Sequence, residues 1–260
     1  MILREVRSRI VGTLVWALAF FSMIVWGMTE FDAFGTTSGD GLAQLMDSFP
    51  RVVRAIYGMD GVDVSTVEGY FSLLLLYTLV MVAVHGSLLG AGLINRELKS
   101  GAYEFLFSTP LSRFDVVFRK EIAALIIMVF LQVVIGVSTW MALDGTGSEK
   151  LLVHTLLATV VTHVVFFHVG YAAALFFVNR RRSQAVAVFA PLLGYLLVVV
   201  SQLFDVPWLA DTTPLGFYDA SYLLEPVGEA IPYSIGAVVL SIIIKAGTML
   251  VFRKRDLTGD

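Results

Sequence analysis

The sequence predicts an all-α integral membrane protein of six transmembrane helices with both termini in the cytoplasm. Apolar residues make up 57% of its 260 residues and charged residues 15%, against roughly half and a quarter in soluble domains. Six apolar stretches, at about 10–28, 69–93, 119–141, 151–178, 185–203 and 231–252, each reach the roughly 20 residues that a helix needs to cross about 30 Å of hydrocarbon. If the spans alternate, the basic residues fall almost entirely on one side: Arg4, Arg7, Arg9, Arg96, Lys99, Arg113, Arg119, Lys120, Arg180, Arg181, Arg182, Arg253, Lys254 and Arg255, against Arg51, Arg54 and Lys150. That asymmetry marks the cytoplasmic side. The net charge of -3 says little about partners, and the absence of cysteine excludes disulfides and thiolate metal sites.

The elements follow in order. Residues 1–9, MILREVRSR, set Ile2, Leu3 and Val6 against three arginines, which fits either a short interfacial helix before the first span or a solvated positive tail. The run from Ile10 to Met28 is too long for the apolar core of a cleaved signal and lacks an A-x-A-like site, so it reads as a retained span. The polar segment 29–68 is acidic and glycine-rich at FGTTSGDG, and its LAQLMDSFPRVVRAIYG predicts one or two short surface helices interrupted at Pro50. In the second span Gly86 and Gly90 form G-x-x-x-G beside Ala83, Ser87 and Ala91. Small residues at that spacing let helices approach closely, either within the chain or against a second copy. Residues 204–230 combine three of the seven prolines with Trp208, Phe217, Tyr218 and Tyr222, a mixture suited to an interfacial or re-entrant segment with aromatic anchors.

The most informative stretch is the charged segment between the second and third spans, GLINRELKSGAYEFLFSTPLSRFDVVFRKEIAAL. Leu98, Ala102, Phe105 and Leu106 fall at spacings of three and four, giving one apolar stripe on a helix over Asn95–Phe107, with Glu97, Lys99 and Glu104 off it. Pro110 ends that helix by excluding the α region at the residue before it, and Ser112 is a plausible N-cap for the helix that becomes the third span.

The pattern Ile94, Glu97, Gly101, Glu104, Leu106, Ser108, Pro110, Ser112, Arg113 followed by Lys120 resembles the loop between spans two and three of type-2 ATP-binding-cassette (ABC) exporter permeases. The resemblance extends in plan, though not at motif grade, over nearly the whole chain. It implies a coupling helix resting in a groove of a separate ATPase subunit through Glu97, Leu98, Lys99, Gly101, Ala102, Glu104, Phe105, Leu106, Ser108 and Pro110, with Arg113 and Lys120 anchoring the start of span three at the headgroups. It also favours the N-terminal interfacial helix. The implied partners are two cytoplasmic ABC ATPase subunits, which bind the ATP and Mg, a second permease copy or paralogue, and the lipid of a bacterial or archaeal inner membrane. No nucleic-acid partner and no cofactor within this chain are expected.

The chain carries no nucleotide site of its own. It lacks G-x-x-x-x-G-K-[ST] and any glycine-lysine dipeptide, and it lacks G-x-S-x-G and H-E-x-x-H. Its four histidines, His85, His154, His163 and His168, leave open an alternative as a histidine-dependent metal or haem protein or membrane-embedded enzyme. Geometry weighs against it. At about 100° per residue His154 and His163 lie on opposite faces of one helix, and His154 and His168, on one face, lie about 21 Å apart. Buried structural histidines are the commoner outcome, and no metal site is expected. Ionisable groups inside the membrane carry functional weight, so His85, His163 and Lys245 are candidates for lining a pathway, with Gln132 and Asn179 weaker ones; Lys245 is also close enough to the boundary to snorkel or to form an internal pair. A self-sufficient channel or carrier would lead one to expect paired intramembrane charges or broken helices in related halves; the sequence shows neither an internal repeat nor such a pair. The spans' scarcity of charge fits a hydrophobic or amphipathic cargo, a drug, a lipid or a peptide, over a small ion, and equally fits spans that simply pack against one another.

Overall fold

The computed structural model describes residues 2–31, 48–98, 113–177 and 179–253, with side chains at all of these except 94–98, 113–117 and 251–253. Its elements are α1 (Ile2–Phe21), continued through a π-helical turn at Ser22–Trp26, α2 (Arg51–Tyr57), α3 (Val67–Leu98), α4 (Arg113–Leu143), α5 (Leu151–Phe176), α6 (Arg180–Phe204), the short α7 (Pro207–Ala210), α8 (Pro214–Phe217) and α9 (Ala220–Leu224), a 3-10 turn at Val227–Ala230, and α10 (Ile231–Arg253). The described residues contain no strand. Six helices, α1, α3, α4, α5, α6 and α10, are long and apolar enough to cross a membrane, matching the six apolar stretches.

The helices alternate in direction. One end of the bundle, here the terminal end, carries the start of α1, the end of α3, the start of α4 and the end of α10; the other is the loop end. At the centre α3 and α5 pack along most of their length. Gly86 and Gly90 make this possible, and Gly170 answers them from α5. A Cβ at Gly86 would stand 2.8 Å from the His163 carbonyl oxygen, one at Gly90 would collide with the Phe167 carbonyl, and one at Gly170 with the Ser87 carbonyl. The G-x-x-x-G of the second span is therefore consumed inside the chain, not at a seam between copies. Around this pair α1 packs on α4, α6 on α3 and α5, and α10 on α5. Their outer faces are apolar and exposed, for example Leu18 (66%), Phe189 (62%) and Ile243 (60%), as lipid-facing surfaces require.

Two sequence expectations change here. Residues 2–9 are helical but form no separate interfacial helix. They run into the first span as one helix, with the Glu5–Arg9 pair one turn apart at 2.9 Å supporting the junction. Likewise α3 continues through Leu98, so Asn95–Leu98, placed by periodicity in a separate short helix, form the last turn of the second span's helix.

At the loop end the residues between α6 and α10 do not lie flat on the bundle. Pro214, Leu215 and Gly216 are buried, as are Tyr218, Tyr222 and Leu223. A Cβ at Gly194 would meet Thr213 Oγ1 at 3.0 Å and Leu215 at 3.4 Å, and Gly194 lies ten residues inside the end of α6 at Phe204. At 1.5 Å per residue that is about 15 Å, so the start of α8 reaches well into the bundle beside α6, while α9 packs at the loop end, where Tyr222 Oη donates to the His154 carbonyl in the first turn of α5. Side-chain caps make such short helices possible: Thr213 Oγ1 accepts from Leu215 N, and Asp219 Oδ1 from Ser221 N and Tyr222 N.

Candidate functional site

Among the described residues, three groups of polar side chains within the bundle link helices that the sequence separates widely. The first lies at the terminal end. Arg9 donates through Nη2 to the Gly92 carbonyl at 2.9 Å and through Nε to Glu5 at 2.9 Å. Lys120, 3% exposed, donates to the Leu93 carbonyl at 2.7 Å. Two cations from α1 and α4 thus hold consecutive carbonyls near the end of α3. The sequence places Lys120 among headgroup anchors; its ammonium is directed inward. Ala123, Ala124 and Ile127, three, four and seven positions on, are buried too, so a helical count of small and apolar neighbours signals this inward face.

The second group crosses the middle. His85 Nδ1 lies 2.8 Å from His163 Nε2, and His163 Nδ1 lies 3.3 Å from the Gln132 amide nitrogen, whose carbonyl accepts from Thr159 Oγ1 at 2.8 Å. With the amide so placed it donates to His163 Nδ1, which leaves the proton of His163 on Nε2 to be donated to His85. Trp16 presents an edge contact to His85, ring centroids 5.4 Å apart. His85 is 6% exposed and His163 fully buried. Two cavities flank the chain. One of about 270 Å³ between α1, α3 and α4 includes Thr13, Trp16 and His85 in its lining, and an apolar groove of about 500 Å³ between α4 and α5 has Gln132 and His163 in its lining. The periodicity that kept His154, His163 and His168 apart could not show that His85 meets His163, because that depends on the register in which α3 lies on α5.

The third group ties α10 to the bundle. Lys245 pairs with Glu121 of α4 at 2.8 Å, and its ammonium lies 5.9 Å from the Tyr171 ring centre. His168 Nδ1 lies 2.8 Å from Ser241 Oγ. Of the alternatives open to Lys245, the structure contains the internal pair. The remaining candidates have local roles. His154 spans from the Lys150 carbonyl (3.1 Å) to that of Glu225 (2.9 Å), in edge contact with the ring of Tyr222. Asn179 caps α6, accepting from Arg181 N at 2.9 Å; an asparagine just before a helical run is the signal for that. Among the described residues no three histidine, aspartate or glutamate side chains converge as a metal site would require.

On the loop end, Arg51 at the start of α2 binds Asp205 through both guanidinium Nη atoms, at 2.5 and 3.2 Å, and Asp60 through Nε at 3.1 Å. These bonds hold the Asp205 carboxyl below the usual carboxylate range and raise Arg51 above its ordinary value.

Of the residues expected to meet an ATPase, Glu97 and Leu98 lie on the final turn of α3, where backbone alone is described; Arg113, expected as a headgroup anchor, is the first residue of α4. Lys99, Gly101, Ala102, Glu104, Phe105, Leu106, Ser108 and Pro110 lie outside the described residues.

Six span-length helices with lipid-compatible outer faces define a polytopic α-helical membrane protein. Residues 1–214 match the family described as ABC-2 family transporter protein. The chain belongs to that family: it is an ABC-transporter permease, a membrane-spanning transport subunit and not an enzyme on its own. Membership implies partnership with ABC ATPase subunits. No curated protein matches the chain.

Proposed function

We propose that this chain is the membrane-spanning subunit of a two-copy exporter that moves a hydrophobic or amphipathic cargo, such as a drug, a lipid or a peptide, out of the cytoplasm, driven by ATP hydrolysis on two separate cytoplasmic ATPase subunits. The family match over residues 1–214 carries this reading. The charged segment 94–118 supports it from the sequence, standing between two spans at the basic, terminal end of the bundle. The terminal end is then cytoplasmic, the whole chain is one permease domain of the inner membrane, and the helix that follows α3 sits in the ATPase groove. Ala102, Phe105 and Leu106 of that helix, with Leu98 at the end of α3, form the buried stripe, and Lys99 and Glu104 are flanking charge contacts. ATP and Mg stay on the partner, and Arg113 meets the headgroups.

Affinity purification in mild detergent from the native membrane tests this. A stoichiometric ATPase carrying a phosphate-binding loop is expected with the unmodified chain and absent with Phe105→Asp, which places a carboxylate in the apolar stripe while leaving membrane insertion intact. Retained co-purification of the ATPase with Phe105→Asp would refute the docking assignment.

A further inference from the structure

The bundle divides into two leaves. α1 packs along α4, and α3 along α5, whereas α3 touches α1 and α4 far less. Between the leaves, toward the terminal end, lies the cavity of about 270 Å³, so packing there is incomplete. Below it stand two bonds that cross from one leaf to the other, Arg9 to Gly92 and Lys120 to Leu93.

Both acceptors already serve the backbone ladder of α3, and each carbonyl has a second lone pair to offer. Successive carbonyls in a helix are turned about 100° from one another, so α1 and α4 grip α3 from two sides. Helical carbonyls point toward the helix C-terminus, and here that direction leads toward the segment 94–118. Each cation is also confined: Arg9 by Glu5 at 2.9 Å, Lys120 by near-complete burial. Such charge-assisted bonds in a low-dielectric setting are strong and directional.

We propose that Arg9 and Lys120 are positioning residues that lock the end of α3 to α1 and α4, so that a displacement arriving through segment 94–118, which is continuous with both α3 and α4, moves α1, α3 and α4 together instead of letting α3 slip past the other two. The proposal rests on the permease reading above, since it takes the displacement to come from an ATPase seated on that segment. Neither residue touches nucleotide or cargo in this scheme; each acts by holding a helix end.

The chain has no cysteine, so a single Leu88→Cys in the cavity between the leaves gives an unambiguous reporter. The complex is purified with its ATPase, placed in lipid nanodiscs, and reacted with N-ethylmaleimide without nucleotide and after trapping with ATP and vanadate. Trapping is expected to change the labelling rate of that single thiol about five-fold or more, the lower range of allosteric couplings. Adding Lys120→Met reduces that change to under about two-fold while the ATPase still co-purifies, and Lys120→Arg restores it. Arg9→Gln is expected to act in the same direction and carries the test if Lys120→Met fails to insert. An undiminished change in the variants overturns the coupling role, as does an unresponsive Leu88→Cys in an otherwise unmodified complex, and both leave the permease reading standing. Failure of any ATPase to purify with the unmodified chain overturns that reading and this proposal with it.

Discussion

Replacing Gly86 by alanine should drive the two central helices apart. A Cβ there would lie 2.8 Å from the His163 carbonyl oxygen and 2.9 Å from its Cδ2, against an ordinary contact of 3.4 Å or more. The obstructing carbonyl is backbone and cannot rotate away, so α5 must retreat by about 0.6 Å, the difference between those distances. That retreat lengthens the His85–His163 bond from 2.8 Å toward about 3.4 Å, beyond good hydrogen-bond length, and a gap of this size forfeits a quarter or more of the dispersion at neighbouring contacts. Overpacking of this kind costs about 1–3 kcal/mol. Gly90→Ala should cost more, because there the new atom would overlap the Phe167 carbonyl and stand 2.7 Å from Tyr171 N. Gly236 and Gly247 of α10 supply the control: nothing lies within 4 Å of a Cβ at either, so alanine should be neutral or stabilising by up to about 1 kcal/mol through backbone entropy. Thermal unfolding of the four variants in one detergent measures the series. Gly86→Ala as stable as the parent chain, or Gly247→Ala as damaging as Gly90→Ala, would refute the claim that the α3–α5 seam is in backbone contact.

Two further predictions concern charge. Lys245→Met strands the Glu121 carboxylate, one oxygen of which already lacks a partner among the described residues. The pair is partly exposed, so the loss should be on the order of 2 kcal/mol, between the limits for surface and buried pairs. Lys245→Met with Glu121→Leu should recover most of it, and strictly additive losses in a double-mutant cycle would show that the two groups do not interact. At the loop end the Asp205 carboxyl is held below its usual range by Arg51, so its contribution is fully present above the ordinary carboxylate pKa and is lost as pH falls through the lower folded value. Hydrogen exchange of residues 51–57, corrected for its intrinsic rate, should therefore be protected evenly between about pH 5 and 8 and lose protection below about pH 4. Arg51→Gln should abolish that step, and a step that persists would assign it to another group.

The six spans were legible because hydrocarbon thickness imposes a length and because arginine and lysine sort by side. Helix ends were less evenly so: α4 begins at Arg113, where the reading of Ser112 as an N-cap puts it, but α3 runs to Leu98 rather than 93, since a helix has no reason to stop where the lipid does. The site was legible one residue at a time and not as pairs. Lys245 was recognisable as an intramembrane cation, yet its partner stands 124 positions away. A retrospective signal exists in depth: Glu121 is eight residues from the start of α4 and Lys245 eight from the end of α10, so opposite charges stand at equal distance from the same end. His85 and His163 lacked even that, because only the glycines at 86, 90 and 170 set the register that brings them together.

Where the polar side chains lie bears on where a cargo crosses. The axis of this chain is filled by α3 and α5 in contact through glycines, which leaves no lumen between them. The cross-bundle polar contacts, His85 to His163, Gln132 to Thr159, Lys245 to Glu121 and His168 to Ser241, join one helix to another. The larger of the two cavities described above is the apolar groove between α4 and α5, in which Gln132 and His163 are the polar members of an otherwise hydrocarbon wall. A charged solute crossing such a wall would have to shed its hydration against aliphatic side chains, whereas an amphipathic one would lose little. Under the function proposed above, a route along the surface of a copy, closed by a second copy, and a cargo whose body is apolar would be consistent with this distribution.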